Sequence, residues 1–373
     1  MNLFRNYHIK NYNFRLVVAV LTLTILGVFV VGSANENYMT RQIVGMLLGL
    51  IVMTVVSLVN YSLVLSFHWV YYAVACVMLA LVFTPLGYSS HNATRWLQIG
   101  GFRYQPSEFA KVLIVLFFAR FLMDHEEDLN TPKRLALCAL LGAAPLLLIV
   151  REPDLSTTIV TFMMIFSMMF FAGLSYKIVA PLVGAGVLGV LFVIYSTIYS
   201  AGGGLLAYQG NRIKAWLQPE KYPDLARQQQ NSIMAIGSGQ VLGKGLNNTG
   251  VDSVKNGNYI PEPHTDFIFA VAGEELGFLG SSIIIILLFV IVYECIRTAK
   301  RAKDLSGKLI CIGMASLVGF QAFVNICVVT GLMPNTGIPL PFVSYGLTSL
   351  VALYFGIGMV LNVSLQSKKF YEV

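Results

Sequence analysis

The residues that could do chemistry gather in one short segment. From Pro261 to Glu275 the chain reads PEPHTDFIFAVAGEE, in which Glu262, His264, Asp266, Glu274 and Glu275 are acidic or imidazole groups. A carboxylate beside a reacting hydroxyl can take its proton, or hold an ion that does the same job. The segment runs straight into LGFLGSSIIIILLFVIVYECI, which has the length and composition of a membrane span. Two more charged clusters stand out. SSHNATRWLQIGGFRYQPSEFAK holds Arg95, Arg103, Glu108 and Lys111, and REPDLST holds Arg151, Glu152 and Asp154. A fourth stretch, GLMPNTGIPLPFVSYG, is too rich in Pro and Gly to be helix throughout.

The spacings narrow the choices without closing them. Glu108 and Lys111 stand at i, i+3 and face the same side of a helix, where an ion pair is the least costly way to hold either in a bilayer. They form either a structural bridge or part of a polar cavity wall. Asp154 follows Pro153 and either caps the next helix or faces that cavity. His264 and Asp266 open a span. An acid there can be an N-cap, but Thr265 could take that job and leave Asp266 free. Glu274 and Glu275 point about 100° apart, so at least one is expected to meet a cation inside the bundle. Both read as structural.

Positioning these groups requires an unusual scaffold. The chain has 373 residues, of which 56% are hydrophobic and 12% charged, with a mean hydropathy of +0.72. A soluble domain is about a quarter charged. Ten apolar stretches are long enough to span a bilayer: roughly 15–33, 42–60, 67–86, 106–122, 134–150, 155–173, 178–199, 265–293, 309–330 and 343–363. They are too continuous for barrel strands. The predicted fold is all-α, a polytopic helical membrane protein of ten transmembrane helices forming one integral membrane domain over residues 1–373. Lys and Arg concentrate in RTAKRAKDLSGK and at both ends, which places both termini in the cytoplasm. The loop of about 200–264 then lies outside, as do the charged clusters around Arg95, Asp154 and Asp266.

Several functions are excluded. The net charge of +7 reports this topology and implies no nucleic-acid partner. GSGQVLGKG lacks phosphate-loop spacing. Zinc-type His/Cys spacing is absent, and the five cysteines read as packing residues.

At these same residues the chain resembles the SEDS family (shape, elongation, division and sporulation proteins). The resemblance rests on TRWLQIGGFRYQPSEFAK, EPDLST, IGSGQVLGKG, PEPHTDFIFAVAGEELGFLG and GIPLPFVSYG, in that order, over nearly the whole chain. It implies a peptidoglycan glycosyltransferase that polymerises lipid II on the outer face of the bacterial cytoplasmic membrane. It further implies Asp266 as the catalytic residue, with Arg95, Glu108, Lys111, Asp154, His264 and Ser344 as substrate-binding residues. The implied partners are lipid II, the growing glycan strand, membrane lipid and a class B penicillin-binding transpeptidase. A divalent cation, Mg²⁺ or Mn²⁺, is the one cofactor expected, with no organic cofactor and no metal ligands assigned. The sequence departs from the family pattern at Leu347 and Gln240, where glycines are usual, and in reading EPDLST for Q-P-D-L-G-T. GIPLPFVSYG is closer to the RodA branch than to FtsW. The competing reading is a flippase or transporter of a lipid-linked precursor, for which Glu274 and Glu275 are the best candidates.

Overall fold

Polar residues at the ends of apolar runs set the helix boundaries. In the computed structural model, which describes residues 7–366 except 8, 91–92, 100–101, 200–206, 249, 251–252, 254–256 and 258, Asn13 Oδ1 accepts from the Leu16 N–H at 3.1 Å and starts α1 (Phe14–Ala34). Asn35 likewise starts α2 (Glu36–Leu58). The short α3 (Tyr61–Leu65) leads into α4 (His68–Leu81). A three-stranded antiparallel sheet follows, with β1 (Gly87–Ser90), β2 (Ala93–Ile99) and β3 (Phe102–Tyr104) in that order. Pro106 opens α5 (Pro106–Asp124), and Thr131 caps α6 (Pro132–Arg151). Next come α7 (Leu155–Phe171), capped by Asp154, and α8 (Tyr176–Tyr199). α9 (Ala207–Leu217) and α10 (Pro223–Ser238) are short and polar. α11 (Ile268–Lys300), α12 (Leu305–Val329) and α13 (Leu347–Leu365) complete the chain.

Each of the ten predicted spans coincides with a helix, and among the described residues six of these are long and apolar enough to cross a membrane. The structure corrects the rest of the expectation. β1, β2 and β3 form a sheet, so the fold is mostly helical rather than wholly so. The predicted loop of about 200–264 contains α9 and α10, although its first residues, 200–206, lie outside those described. The span predicted for 67–86 ends at Leu81, in a turn before Pro85. The span predicted for 265–293 begins at Ile268, leaving Asp266 in the preceding loop.

α5, α12 and α13 form the middle of the bundle. Phe117, Phe118, Leu317 and Tyr354 are fully buried. Tyr354 lies over Gly49 of α2, where a Cβ would strike the ring, and its hydroxyl donates to Thr24 at 3.0 Å. Apolar residues at the periphery, such as Leu188 and Phe289, remain about two-thirds exposed, as lipid-facing side chains do.

α11 is broken at Gly277, whose φ of 65° interrupts the helix. The stretch 239–245 packs into this break. Phe278 and Leu279 donate backbone bonds to the carbonyls of Gln240 and Val241 at 2.8 and 3.2 Å. A Cβ at Gly239, Gly243 or Gly277 would strike backbone across the contact. The glycines of GSGQVLGKG therefore serve close backbone approach rather than phosphate binding. Gln240, where a glycine is usual, has a φ of 49°. Leu347 is the first residue of α13, so its departure from glycine leaves that helix start in place. Glu274 pairs with Lys244 at 2.8 Å, and Glu275 accepts from Ser33 at 2.5–2.7 Å. Both acids are thus tied into this junction, as expected of structural residues.

Candidate functional site

Six helix ends meet on one side of the bundle: the starts of α5, α7, α11 and α13 and the ends of α6 and α12. Alternate up and down helices bring them together, and a cleft of about 300 Å³ opens between them. Asp266, Arg95 and Arg212 line it. They converge around Gly337: the position of a Cβ there would lie 3.1 Å from Asp266 Oδ2, 3.9 Å from Arg95 Nη1 and 4.0 Å from Arg212 Nη1. Gly337 also has a φ of 72°. Both its backbone and the carboxylate beside it call for glycine.

Asp266 caps nothing. Phe267 precedes α11 without a side-chain cap bond. Thr265, the alternative cap, donates to the Glu262 carbonyl at 2.9 Å. Burial pushes the Asp266 carboxyl up to about 6; Arg95 and Arg212 hold it down, while Asp154 and Glu262 add to the rise. The loop carrying it is clamped by Asn325 of α12, whose Nδ2 donates to the carbonyls of Asp266 at 2.8 Å and Ile338 at 2.6 Å.

Arg95 extends from β2 onto the turn between α6 and α7. Its guanidinium donates to the carbonyls of Glu152 at 3.2 Å and Pro153 at 2.5 Å and stands 3.7 Å from Asp154. Asp154 also accepts from the Thr157 N–H at 3.1 Å, so it caps α7 and anchors Arg95 at once. Glu152 is fully buried, and among the described residues neither of its carboxyl oxygens has a hydrogen-bond partner. Burial, with Asp154 and against Arg95, pushes it up to about 9, which keeps it neutral at pH 7.

Arg212 was not singled out by the sequence. It sits on α9 one turn before Trp216, on the same face. Trp216 Nε1 donates to the Gly331 carbonyl at 2.8 Å, and Arg212 Nη1 to the Asn335 carbonyl at 2.9 Å. The only signal in the sequence was the amphipathic stretch NRIKAWL. α10 seals the exposed end of α12: Gln229 and Ser232 donate to the carbonyls of Val328 and Val329, both at 2.6 Å.

The other predicted residues stand behind the cleft wall. Lys111 bonds Glu108 at 2.7 Å and Gln321 at 2.8 Å, and Gln321 donates to the Pro339 carbonyl at 3.0 Å. The pair is buried and reaches the cleft only through Pro339, which lines it. Ser344 donates to the Thr265 carbonyl at 2.8 Å and accepts from the Leu340 N–H at 2.7 Å, tying the two site loops together. His264 is stacked on Tyr38 at 4.3 Å and edge-on to Tyr345 at 5.6 Å. Its Nδ1 is buried without a bond, and burial draws its pKa down.

The donor set does not fit a resident metal. Among the described residues no group of three His, Cys, Asp or Glu could hold one. Asp266 is moreover flanked by two guanidiniums, which repel a cation.

Fold and site together define a multi-pass helical membrane protein with an acid and two arginines at one end of its bundle. The family model described as cell cycle protein, which covers FtsW, RodA and SpoVE, matches residues 9–369. The chain belongs to this family, and is a multi-pass protein of the bacterial cytoplasmic membrane. It is 33% identical to the probable peptidoglycan glycosyltransferase FtsW of Trichlorobacter lovleyi, over 96% of this chain and 94% of that protein. It is equally similar, at 33%, to stage V sporulation protein E of Bacillus subtilis, over 95% and 97%. Among solved structures it is similar to a chain of a peptidoglycan synthase complex that coordinates polymerization and crosslinking, with a TM-score of 0.78, 29% identity and coverage of 95% and 97%. It is also similar to the rod shape determining protein RodA of Thermus thermophilus, with a TM-score of 0.70, 27% identity and coverage of 96% and 98%. These relatives span several branches, so they give the family and not the branch.

Proposed function

We propose that this protein is a peptidoglycan glycosyltransferase that polymerises lipid II at the outer face of the membrane. The observation that carries this reading is a half-buried carboxylate, Asp266, faced by Arg95 and Arg212 at the mouth of an apolar bundle. Lipid II joins a polyprenyl tail, a pyrophosphate and a disaccharide-peptide. Lipid-facing helices suit the tail, the arginines suit the pyrophosphate, and the carboxylate suits the sugar hydroxyl.

The chemistry is one displacement. The acceptor 4-hydroxyl is a weak nucleophile, and Asp266 takes its proton as the oxygen bonds to the donor's anomeric carbon. The bond from that carbon to pyrophosphate breaks, and the electron pair leaves with the lipid pyrophosphate. Arg95 and Arg212 stabilise the charge that develops there. The α-linked donor becomes a β-1,4 bond, with inversion. Arg95 is held ready by the Glu152 and Pro153 carbonyls, so little reorganisation accompanies the reaction. We place any divalent ion, Mg²⁺ or Mn²⁺, on the substrate's pyrophosphate rather than in a protein cage, in keeping with the way Mg²⁺ binds phosphates with few carboxylates. A class B penicillin-binding transpeptidase is the partner that would crosslink the product.

Lipid II polymerisation by the purified protein tests the reading, with the transpeptidase added where the wild type needs it. Glycan polymer formed in detergent, with no membrane to cross, supports an enzyme. Transport of lipid II in vesicles without polymer would favour the transporter instead. The two acids that rival would use, Glu274 and Glu275, are bonded to Lys244 and Ser33.

A further inference from the structure

A second cavity, of about 480 Å³, lies beside the cleft between α9, α10 and the segment 259–261. Arg212, Gln228, Pro261 and Asn335 line both spaces, so the two share one wall. That wall is built: Arg212 donates to the Asn335 carbonyl at 2.9 Å, and Asn335 Nδ2 donates to Gln228 Oε1 at 3.0 Å. Among the described residues these bonds leave Gln228 Nε2 as an amide donor and Asn335 Oδ1 as an acceptor without protein partners. Tyr259 lines the same cavity with an exposed ring, its backbone fixed by Asn231 Nδ2 at 2.7 Å. The ring lies over Gly257, where a Cβ would strike it. Asp224 and Arg227 contribute charges of opposite sign, and Arg212 on the shared wall adds one positive charge that is turned to the Asn335 carbonyl.

The geometry points to this cavity as a saccharide subsite, holding a sugar next to the one that reacts at Asp266. The inference rests on the proposed glycosyltransferase reading and extends it. Uncharged amide groups and an exposed phenol ring match a ligand rich in hydroxyl and N-acetyl groups, which accepts hydrogen bonds at its edges and packs its CH face on an aromatic ring. The volume is within the range of small-molecule sites. The two spaces share a wall, so a sugar in this cavity lies next to one held at Asp266. Tyr259, Gln228 and Asn335 thus determine specificity without touching the reacting atoms.

The test is steady-state polymerisation of lipid II by full-length Tyr259→Ala and Gln228→Ala variants, with thermal midpoints measured alongside. A soluble tetramer of β-1,4-linked N-acetylhexosamines serves as a competitor. Each variant is expected to raise KM for lipid II by about 3- to 10-fold, the effect of losing one or two neutral contacts, with kcat little changed. The tetramer should inhibit the wild type and need a correspondingly higher concentration in the variants. Asn211→Trp, which fills the cavity from an exposed position, should raise KM in the same way and covers the case in which the first variants are unstable. Unchanged KM and unchanged inhibition in folded variants would overturn the subsite, as would a fall in kcat alone, which would put these residues in the chemistry. A wild type that makes no polymer would instead remove the glycosyltransferase reading itself.

Discussion

Asp266 is useful as a base because its environment holds it near the working pH. A carboxyl raised to about 6 is mostly ionised at pH 7.5 yet more basic than a free aspartate. The rate should therefore fall as pH drops through about 6, when the base becomes protonated. Asp266→Asn should lower polymerisation by about 10²–10⁴-fold. The same shift has a consequence for stability. The folded protein binds this proton more tightly than the unfolded chain, so the ionised acid costs stability above pH 6, and the cost fades between about 6 and 4. The Asn variant should accordingly melt no lower than the wild type at pH 7.5. A near wild-type rate from that variant would end the claim for Asp266. Glu152 gives a second pH signature. Its folded pKa of about 9 lies above the ordinary carboxyl value, so wild-type stability should decline as pH rises from about 5 to 9. Glu152→Gln, which keeps the shape of a neutral acid, should raise the midpoint at pH 7 and flatten that decline. A melting series across pH reads both outcomes.

At the scale of elements, the site is held by helix ends that are themselves braced. Glu108 and Lys111 sit in the first turns of α5, are nearly unexposed, and support Gln321 behind Pro339. Lys111→Ala leaves a buried carboxylate unpaired and should cost about 3–5 kcal/mol. Replacing both by apolar residues of similar volume, as in Glu108→Leu with Lys111→Met, should restore much of the stability. Activity should not recover with it, because Gln321 loses the ammonium that orients it. If the double variant polymerises normally, the pair has no part in shaping the cleft. The break in α11 offers a simpler test. Gln240 holds a φ of 49° with its side chain in solvent, a conformation that costs a non-glycine residue about 1–2 kcal/mol. Gln240→Gly should therefore raise the midpoint by a few degrees, and a lower midpoint would show that the side chain makes a contact worth more than the strain.

For the whole molecule, the Lys/Arg asymmetry predicts both termini in the cytoplasm and α9, α10 and the cleft outside. A cysteine introduced at Asn248 should then react with a membrane-impermeant thiol reagent in intact cells. Labelling only after lysis would invert the protein and move the site to the wrong face for an extracellular polymer.

The amino-acid sequence marked ten apolar runs, each of which coincides with a helix, because lipid tolerates only runs whose backbone is satisfied internally. It also showed that Asp154 and Asp266 stand at the ends of apolar runs, beside Pro-rich segments that cannot be regular helix. The role of each acid was not legible. Asp154 and Asp266 both precede helices, and only the tertiary structure shows that Asp154 caps one while Asp266 caps none. Glu108, Lys111 and Ser344 read as cavity residues from spacing and resemblance, yet they brace the wall from behind, because which side of a helix end is open depends on its neighbours. Arg212 was invisible for the opposite reason. It stands more than fifty residues from Asp266 on a polar helix within a long loop, and it joins the site because Trp216 and Gln229 dock that loop onto the carbonyls at the end of α12. Local periodicity carries which residues are apolar, whereas the meeting of three distant segments around Gly337 is decided by packing alone.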